Sequence, residues 1–243
     1  MQKGIHIRNL NKTYGTEQPA VADLSLDVLP GQVYCLLGHN GAGKSTTLKM
    51  LLGLITPTSG NAWVQGYSVT AEPELARRAI AYVPENVSLY GELSARENVD
   101  LFRRLGRAIL GNDSQDYGNL LRRAGLPAST ADARVSTLSK GMRQKLALAI
   151  ALSRDSQILI LDEPMSGLDP FIVEEIAKII VSEKERGKAV FMVTHELNTV
   201  EQTADTIGFI HQGRLTTELP REEFRKKDLH TLYKSLLKVA AVA

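Results

Sequence analysis

The sequence predicts an α/β chain, and three observations carry that expectation. An apolar run, a glycine-rich loop and a helical pattern follow one another between residues 32 and 54. Short β-rich apolar runs return at Ile80–Val83, Ile158–Leu161 and Ala189–Val193. From Glu92 to about Leu152, only helical spacing is found. Strands alternating with helices make an α/β core, and a helical stretch without strands reads as a subdomain inserted into it.

The elements follow in order. Ile5 to Leu10 and Val21 to Val28 alternate apolar and polar residues, as half-buried strands do. Gln32 to Leu37 (QVYCLL) is a buried strand, and Leu48, Leu51 and Leu52 share one face of a helix starting near Lys44. Thr56 to Gly60 reads as a turn, and Asn61 to Val64 with Tyr67 to Val69 as a hairpin around Gly66. Glu72 to Arg78 is a short charged helix, and Ile80 to Val83 a strand stopped by Pro84.

In the helical stretch, Ser94 and Glu97 have capping-box spacing, with Val99, Phe102 and Leu105 expected on one face. A second helix covers Asp116 to Ala124 and stops at Gly125, and a third runs from Ser139 to Leu152. The α/β pattern resumes with Ile158–Leu161, a helix from Pro170 to Arg186, Ala189–Val193 and a helix from Leu197 to Ala204. Thr206–Ile210, a Gln212–Gly213 turn and a strand to Thr217 close the core. The tail is charged from Arg221 and amphipathic from Leu229 to Val239, as a solvated helix packed on the domain would be.

With 243 residues, 43% of them hydrophobic, the chain can bury a sizeable core. A formal net charge of +2, with no long Lys/Arg block, argues against nucleic acid as a partner. One cysteine, Cys35, permits no internal disulfide and suits a reducing compartment. No signal-peptide pattern and no run of about 18 apolar residues is found, so membrane work would fall to a partner.

Chemistry enters at Leu36–Met50, LLGHNGAGKSTTLKM. Gly38, Gly43, Lys44 and Ser45 fill G-x-x-x-x-G-K-[ST], the phosphate-binding loop. Gly38, Gly41 and Gly43 let backbone N–H groups approach anionic oxygens, and the helix start adds its positive dipole end. Lys44 is expected at the β- and γ-phosphates and Ser45 on Mg²⁺. Asp162 and Glu163 end an apolar strand, where one acid suits Mg²⁺ and its neighbour an attacking water. We assign Asp162 to Mg²⁺ and Glu163 to general base; alone, such a pair is more often a helix start.

His195 ends the next strand, where it is either structural or a hydrogen-bond donor to the terminal phosphate and holder of Glu163's water. Ser139 and Gly141 at a helix start are either an ordinary N-cap or a second anion site. One phosphate cluster meets two distant helix starts only if the chain folds back or a second copy supplies one. Tyr14, in a turn ahead of the loop, either stacks on a base or covers a sheet edge.

GHNGAGKS, LSKGM (138–142), ILILDEP (158–164), SGLD (166–169) and His195 stand in the order and spacing of ABC transporter nucleotide-binding domains. The sequence resembles that family from roughly Ile5 to Leu219. The resemblance implies a P-loop NTPase (RecA-like) core with an antiparallel β subdomain and an α-helical subdomain inserted at about 86–155. The cassette would span 1–219 and a helical tail 220–243.

It implies a head-to-tail homodimer around two ATP with Mg²⁺. One copy offers the loop (Gly38, His39, Asn40, Gly41, Ala42, Gly43), Lys44, Ser45 and Thr46, with Asp162, Glu163 and His195. The other offers Ser139 and Gly141; Asp169 links the two sites, and Tyr14 takes the place of the base-stacking aromatic. Glu85 stands where many members have Gln, and its carboxylate could hold Mg²⁺ or water. Lys140 and Met142 in the second motif are similar to ATPases of ABC-2-type exporters. The stretch YVPENVSLYGELSARENV (82–99) with GHNGAGK further resembles the ATPase of transporters serving maturation of copper-dependent nitrous oxide reductase.

The implied activity is ATP hydrolysis driving a membrane permease from the cytoplasmic face, with segment Glu85–Arg96 as docking face, where Leu89 and Tyr90 either meet a partner or pack within the subdomain. The competing expectation is a soluble ATPase acting on nucleic acid or ribosomes, against which the near-neutral charge and the lack of a basic insertion count. A regulator that binds without hydrolysing is disfavoured by Asp162 and Glu163.

Overall fold

The computed structural model describes residues 3–15, 18–106, 116–154, 156–226 and 228–240. Strands β1 (Ile5–Lys12) and β2 (Val21–Val28) pair antiparallel, with Ile5, Ile7, Leu24 and Val28 fully buried. Strand β3 (Val33–Leu37) leads through the glycine loop into helix α1 (Lys44–Leu51). The hairpin of β4 (Ser59–Val64) and β5 (Tyr67–Ser68) completes an antiparallel sheet of order β2-β1-β4-β5. Ser59 and Gly60, expected in the turn, open β4 because Ser59 pairs with Asn11 of β1, with Gly60 at the register shift that follows.

Helix α2 (Pro73–Arg78) and strand β6 (Ile80–Val83) precede the helical stretch of α3 (Ala95–Gly106), α4 (Tyr117–Arg123) and α5 (Lys140–Leu152). Two short 3-10 helices, Ala128–Asp132 and Val135–Thr137, join the last two. The remainder alternates: β7 (Ile158–Asp162), α6 (Pro170–Glu185), β8 (Ala189–Thr194), α7 (Leu197–Thr203) and β9 (Thr206–His211). Strand β10 (Arg214–Pro220) runs past the expected Thr217, and α8 (Arg221–Phe224) and α9 (Leu229–Ala240) follow.

The second sheet has the order β10-β9-β3-β8-β7-β6, parallel except for β10. Its central strand shows why VYCLL is apolar throughout. Val33, Cys35 and Leu37 face a core shared with α5, α6 and α7, while Tyr34 and Leu36 face α1 and the antiparallel sheet. A strand covered on both faces has no polar side to show. Burial also pushes the Cys35 thiol up to about 12, so it packs as a small inert side chain.

Strand order sets the site. Strand β8 lies between β3 and β7, so the loop after β3, the carboxylates ending β7 and His195 after β8 emerge side by side. Ligands of open α/β sheets sit at that carboxyl edge.

The capping box forms as expected: Ser94 N–H donates to Glu97 Oε2 at 2.7 Å and Glu97 N–H to Ser94 Oγ at 3.2 Å. The expected apolar face of α3 is shorter than its spacing suggests. Val99 is buried, whereas Leu105 is 69% exposed. Arg123, at the end of α4, grips Glu183 of α6, Nε to Oε1 at 2.6 Å, and the Glu183 side chain is only 1% exposed. Glu183→Gln would remove the buried charge that faces that guanidinium at 2.6 Å. We expect a loss of about 2–3 kcal/mol, read as a lower denaturant midpoint at unchanged m-value.

Phe224 and Leu229 of the tail are buried in the main core, and the Tyr233 ring lies 6.1 Å from that of Phe209. Among the described residues no helix is long and apolar enough to cross a membrane.

Candidate functional site: a glycine loop facing a buried acid

The loop is glycine where nothing larger fits. A Cβ on Gly38 would stand 2.5 Å from the Ile210 carbonyl oxygen, and one on Gly43 2.6 Å from that of Ala20. Gly43 also has φ +109° and precedes α1 without a capping side chain. Such a helix start is suited to an anion. The loop is fastened to the β9–β10 turn by Gly213 N–H donating to the Ala42 carbonyl at 2.9 Å.

The loop faces a cavity of about 360 Å³, lined by His39, Asn40, Gly41, Gly43, Lys44, Ser45 and Thr46. Glu85, Glu163, His195 and Ala20 complete the lining. Of the loop residues expected at the phosphates, Ala42 is fully buried and Gly38 packs on Ile210, so both shape the loop from behind.

Lys44, only 6% exposed, is turned back into the loop, donating to the carbonyls of Gly38 at 2.6 Å and His39 at 3.2 Å. Its Nζ also lies 3.5 Å from Glu163 Oε1. Glu163 is buried, receives the His195 N–H on Oε2 at 3.2 Å and meets His195 Nδ1 at 2.9 Å on Oε1. An ionised acid buried this deep needs such partners. Its φ of +45° is a left-handed conformation, rare for a side-chain-bearing residue and worth about 1 kcal/mol of strain. The Glu163 N–H donates to the Val193 carbonyl at 3.0 Å, which holds that bend against β8.

Asp162 is half-buried beside this group and does not line the cavity. Its carboxylate accepts from the Tyr82 hydroxyl at 3.3 Å. Burial pushes its carboxyl above the ordinary range, with Glu85 and Glu163 adding to the shift and Tyr82 and Lys44 opposing it. Burial and Asp162 together push the Tyr82 phenol up to about 12. Among the described residues no cluster of three or more His, Cys, Asp or Glu could hold a metal alone. Hydroxyl and carboxylate oxygens of Ser45, Asp162 and Glu85 nonetheless fit Mg²⁺, which takes few protein ligands and completes its shell with phosphate and water.

Other expected site residues lie apart from the cavity in the single chain. Ser139 is exposed and caps α5, its Oγ accepting from the Met142 N–H at 3.2 Å. Gly141 is buried where a Cβ would meet Ile172 at 2.9 Å. Asp169 caps α6, accepting from the Ile172 N–H at 3.1 Å. Tyr14 is 46% exposed, with Lys12 Nζ 5.1 Å above its ring, and does not line the cavity.

Sequence reasoning missed three participants. Ala20 lines the cavity and restricts Gly43. Tyr82 reaches Asp162, and His211 places Nδ1 3.1 Å from His39 Nε2. The His39 Nδ1 lies 2.7 Å from the Asn40 carbonyl and so carries its proton there. Two histidines 172 positions apart give no local signal.

A family model described as ABC transporter matches residues 21–166. Over 226 residues the chain is 38% identical to the bacitracin transport ATP-binding protein BcrA of Bacillus licheniformis, covering 92% of this chain and 72% of that protein. It is 37% identical to the lantibiotic transport ATP-binding protein SrtF of Streptococcus pyogenes, covering 88% of this chain and 90% of that one. The Nod factor export ATP-binding protein I of Rhizobium meliloti is 40% identical over 88% of this chain and 63% of its own length.

A solved ATP-binding subunit of an ABC transporter superposes with a TM-score of 0.83 at 31% identity, covering 97% of this chain and all of that one. The dimeric post-hydrolysis cassette MJ0796, bound to ADP and Pi, gives 0.78 at 28% identity over 89% of this chain and 98% of that one. The chain belongs to the ABC transporter family, as one of its ATP-binding, ATP-hydrolysing cassettes.

Proposed function

We propose that this chain is the motor subunit of an ABC-2-type exporter, working as a head-to-tail homodimer beneath separate membrane subunits. One observation carries the reading: Lys44, Glu163 and His195 converge on the glycine loop, while Ser139 and Gly141 lie away from that cavity. A single copy offers half of an enclosed site. A second copy, turned head to tail, supplies the missing helix start, as expected of a closed two-fold pair.

On this reading the triphosphate takes Lys44 from the carbonyls of Gly38 and His39. Ser45, Asp162 and Glu85 would hold Mg²⁺, which would supply charge neutralisation of the phosphates when bound. Glu163 takes the proton of the attacking water, and His195 orients it. Loss of the terminal phosphate removes the anion bridging the two copies, and they separate. Residues 1–219 make up the cassette, with about 86–155 as its helical insertion, and 220–243 a helical tail that is anchored by Phe224 and Leu229.

Export is supported by the relatives named for bacitracin, lantibiotic and Nod factor transport. The membrane partner is supported by a second cavity, of about 530 Å³, between residues 85–91 and α5. Asn98 pins its rim, receiving the Tyr90 N–H at 2.9 Å and donating to the Tyr90 carbonyl at 3.0 Å, while the Tyr90 side chain stays 54% exposed. Such a subunit sits peripherally on the cytoplasmic face. Native purification from membranes tests this. Recovery with an integral membrane protein, and phosphate release stimulated by its cargo, is expected; association abolished by RNase or DNase would support the nucleic-acid reading instead.

A further inference from the structure

We infer that Tyr82 is a positioning residue for the metal-binding carboxylate, fixing the orientation of Asp162 from the neighbouring strand. The inference rests on the proposed Mg²⁺ role of Asp162. Strands β6 and β7 are parallel and put Tyr82 opposite Ile160, two residues before Asp162. Residues two apart share a sheet face, so the long phenol reaches along the strand to the carboxylate at its end. The hydroxyl donates to Asp162 Oδ2 at 3.3 Å, and among the described residues it is the side-chain hydrogen-bond donor that Asp162 has.

That distance is long for an O–H···O bond, so the contact steers rather than clamps. Steering matters here because Asp162 feels the negative charges of Glu85 and Glu163. Without a donor on Oδ2, repulsion from those acids would turn the carboxylate freely. With the donor on Oδ2, Oδ1 is the carboxylate oxygen that takes no side-chain hydrogen bond among the described residues. The Tyr82 ring packs on the apolar cluster under the antiparallel sheet, so phenylalanine keeps the packing and removes only the donor.

The test is a Mn²⁺ titration followed by electron paramagnetic resonance at saturating ATP, in chains also carrying Glu163→Gln so that nothing turns over. Tyr82→Phe is expected to weaken Mn²⁺ binding about tenfold or more, the usual loss when a partner of a metal-ligating carboxylate is removed. Metal-free ATP affinity and melting temperature should stay unchanged, which a merely structural role would not give. Asp162→Asn, measured alongside, separates the two failures. If Asp162→Asn weakens Mn²⁺ binding and Tyr82→Phe does not, or tightens it, the positioning role is overturned and the metal role stands. If Asp162→Asn also leaves the affinity unchanged, both fall. An equal loss of metal-free ATP affinity in Tyr82→Phe would likewise overturn the inference in favour of general packing.

Discussion

Glu163→Gln is expected to keep ATP bound while lowering turnover by about a hundredfold or more, the loss that follows removal of a positioned base. A hundredfold corresponds to about 2.7 kcal/mol of barrier. The substitution is close to isosteric. A glutamine oxygen can still accept the His195 N–H, which reaches Glu163 Oε2 at 3.2 Å, so the bend after β7 should persist. What disappears is the negative charge that can take a proton and that lies 3.5 Å from the Lys44 ammonium. Lys44 would then be held only by the carbonyls of Gly38 and His39, so equilibrium ATP affinity should be equal or higher. Lower kcat without a raised KM is the signature of a group that acts in the transition state. Phosphate release together with nucleotide binding measures both; unaltered hydrolysis would remove Glu163 from the base role.

The legible parts of this molecule are those whose physics is local. The capping box of Ser94 and Glu97 and the glycine loop each declare themselves within a few residues. Strand VYCLL could be read as buried on both faces because no polar residue interrupts it. The unread parts depend on what a fold brings together. Tyr82 meets Asp162 only because β6 and β7 are neighbours in register, and His39 meets His211 only because β9 runs beside β3. The exposure of Leu105 was hidden in the same way, since spacing defines a helix face but not how far its neighbours extend. Nor does the motif reveal that Lys44 rests on its own loop's carbonyls beside the buried Glu163.

An equal mixture of two inactive variants should recover what neither possesses, if each triphosphate is shared by two copies. Ser139→Asp leaves the helix cap intact, since aspartate caps a helix start as well as serine does. It places a negative charge where the partner's triphosphate is expected, at an exposed position that tolerates the exchange. Lys44→Ala removes the loop cation instead. With Glu163→Gln in both chains to stop turnover, neither variant alone should form an ATP-dependent pair. In a mixed pair, one site combines both defects. The other joins an intact Lys44 to an intact Ser139 from the opposite copy. Mixed pairs trapping ATP are therefore expected by size-exclusion chromatography with labelled nucleotide. If Lys44 and Ser139 acted within one copy, every chain in the mixture would carry a defective site and nothing would be trapped. Full ATP-dependent pairing by Ser139→Asp alone would remove the helix start of α5 from the site altogether.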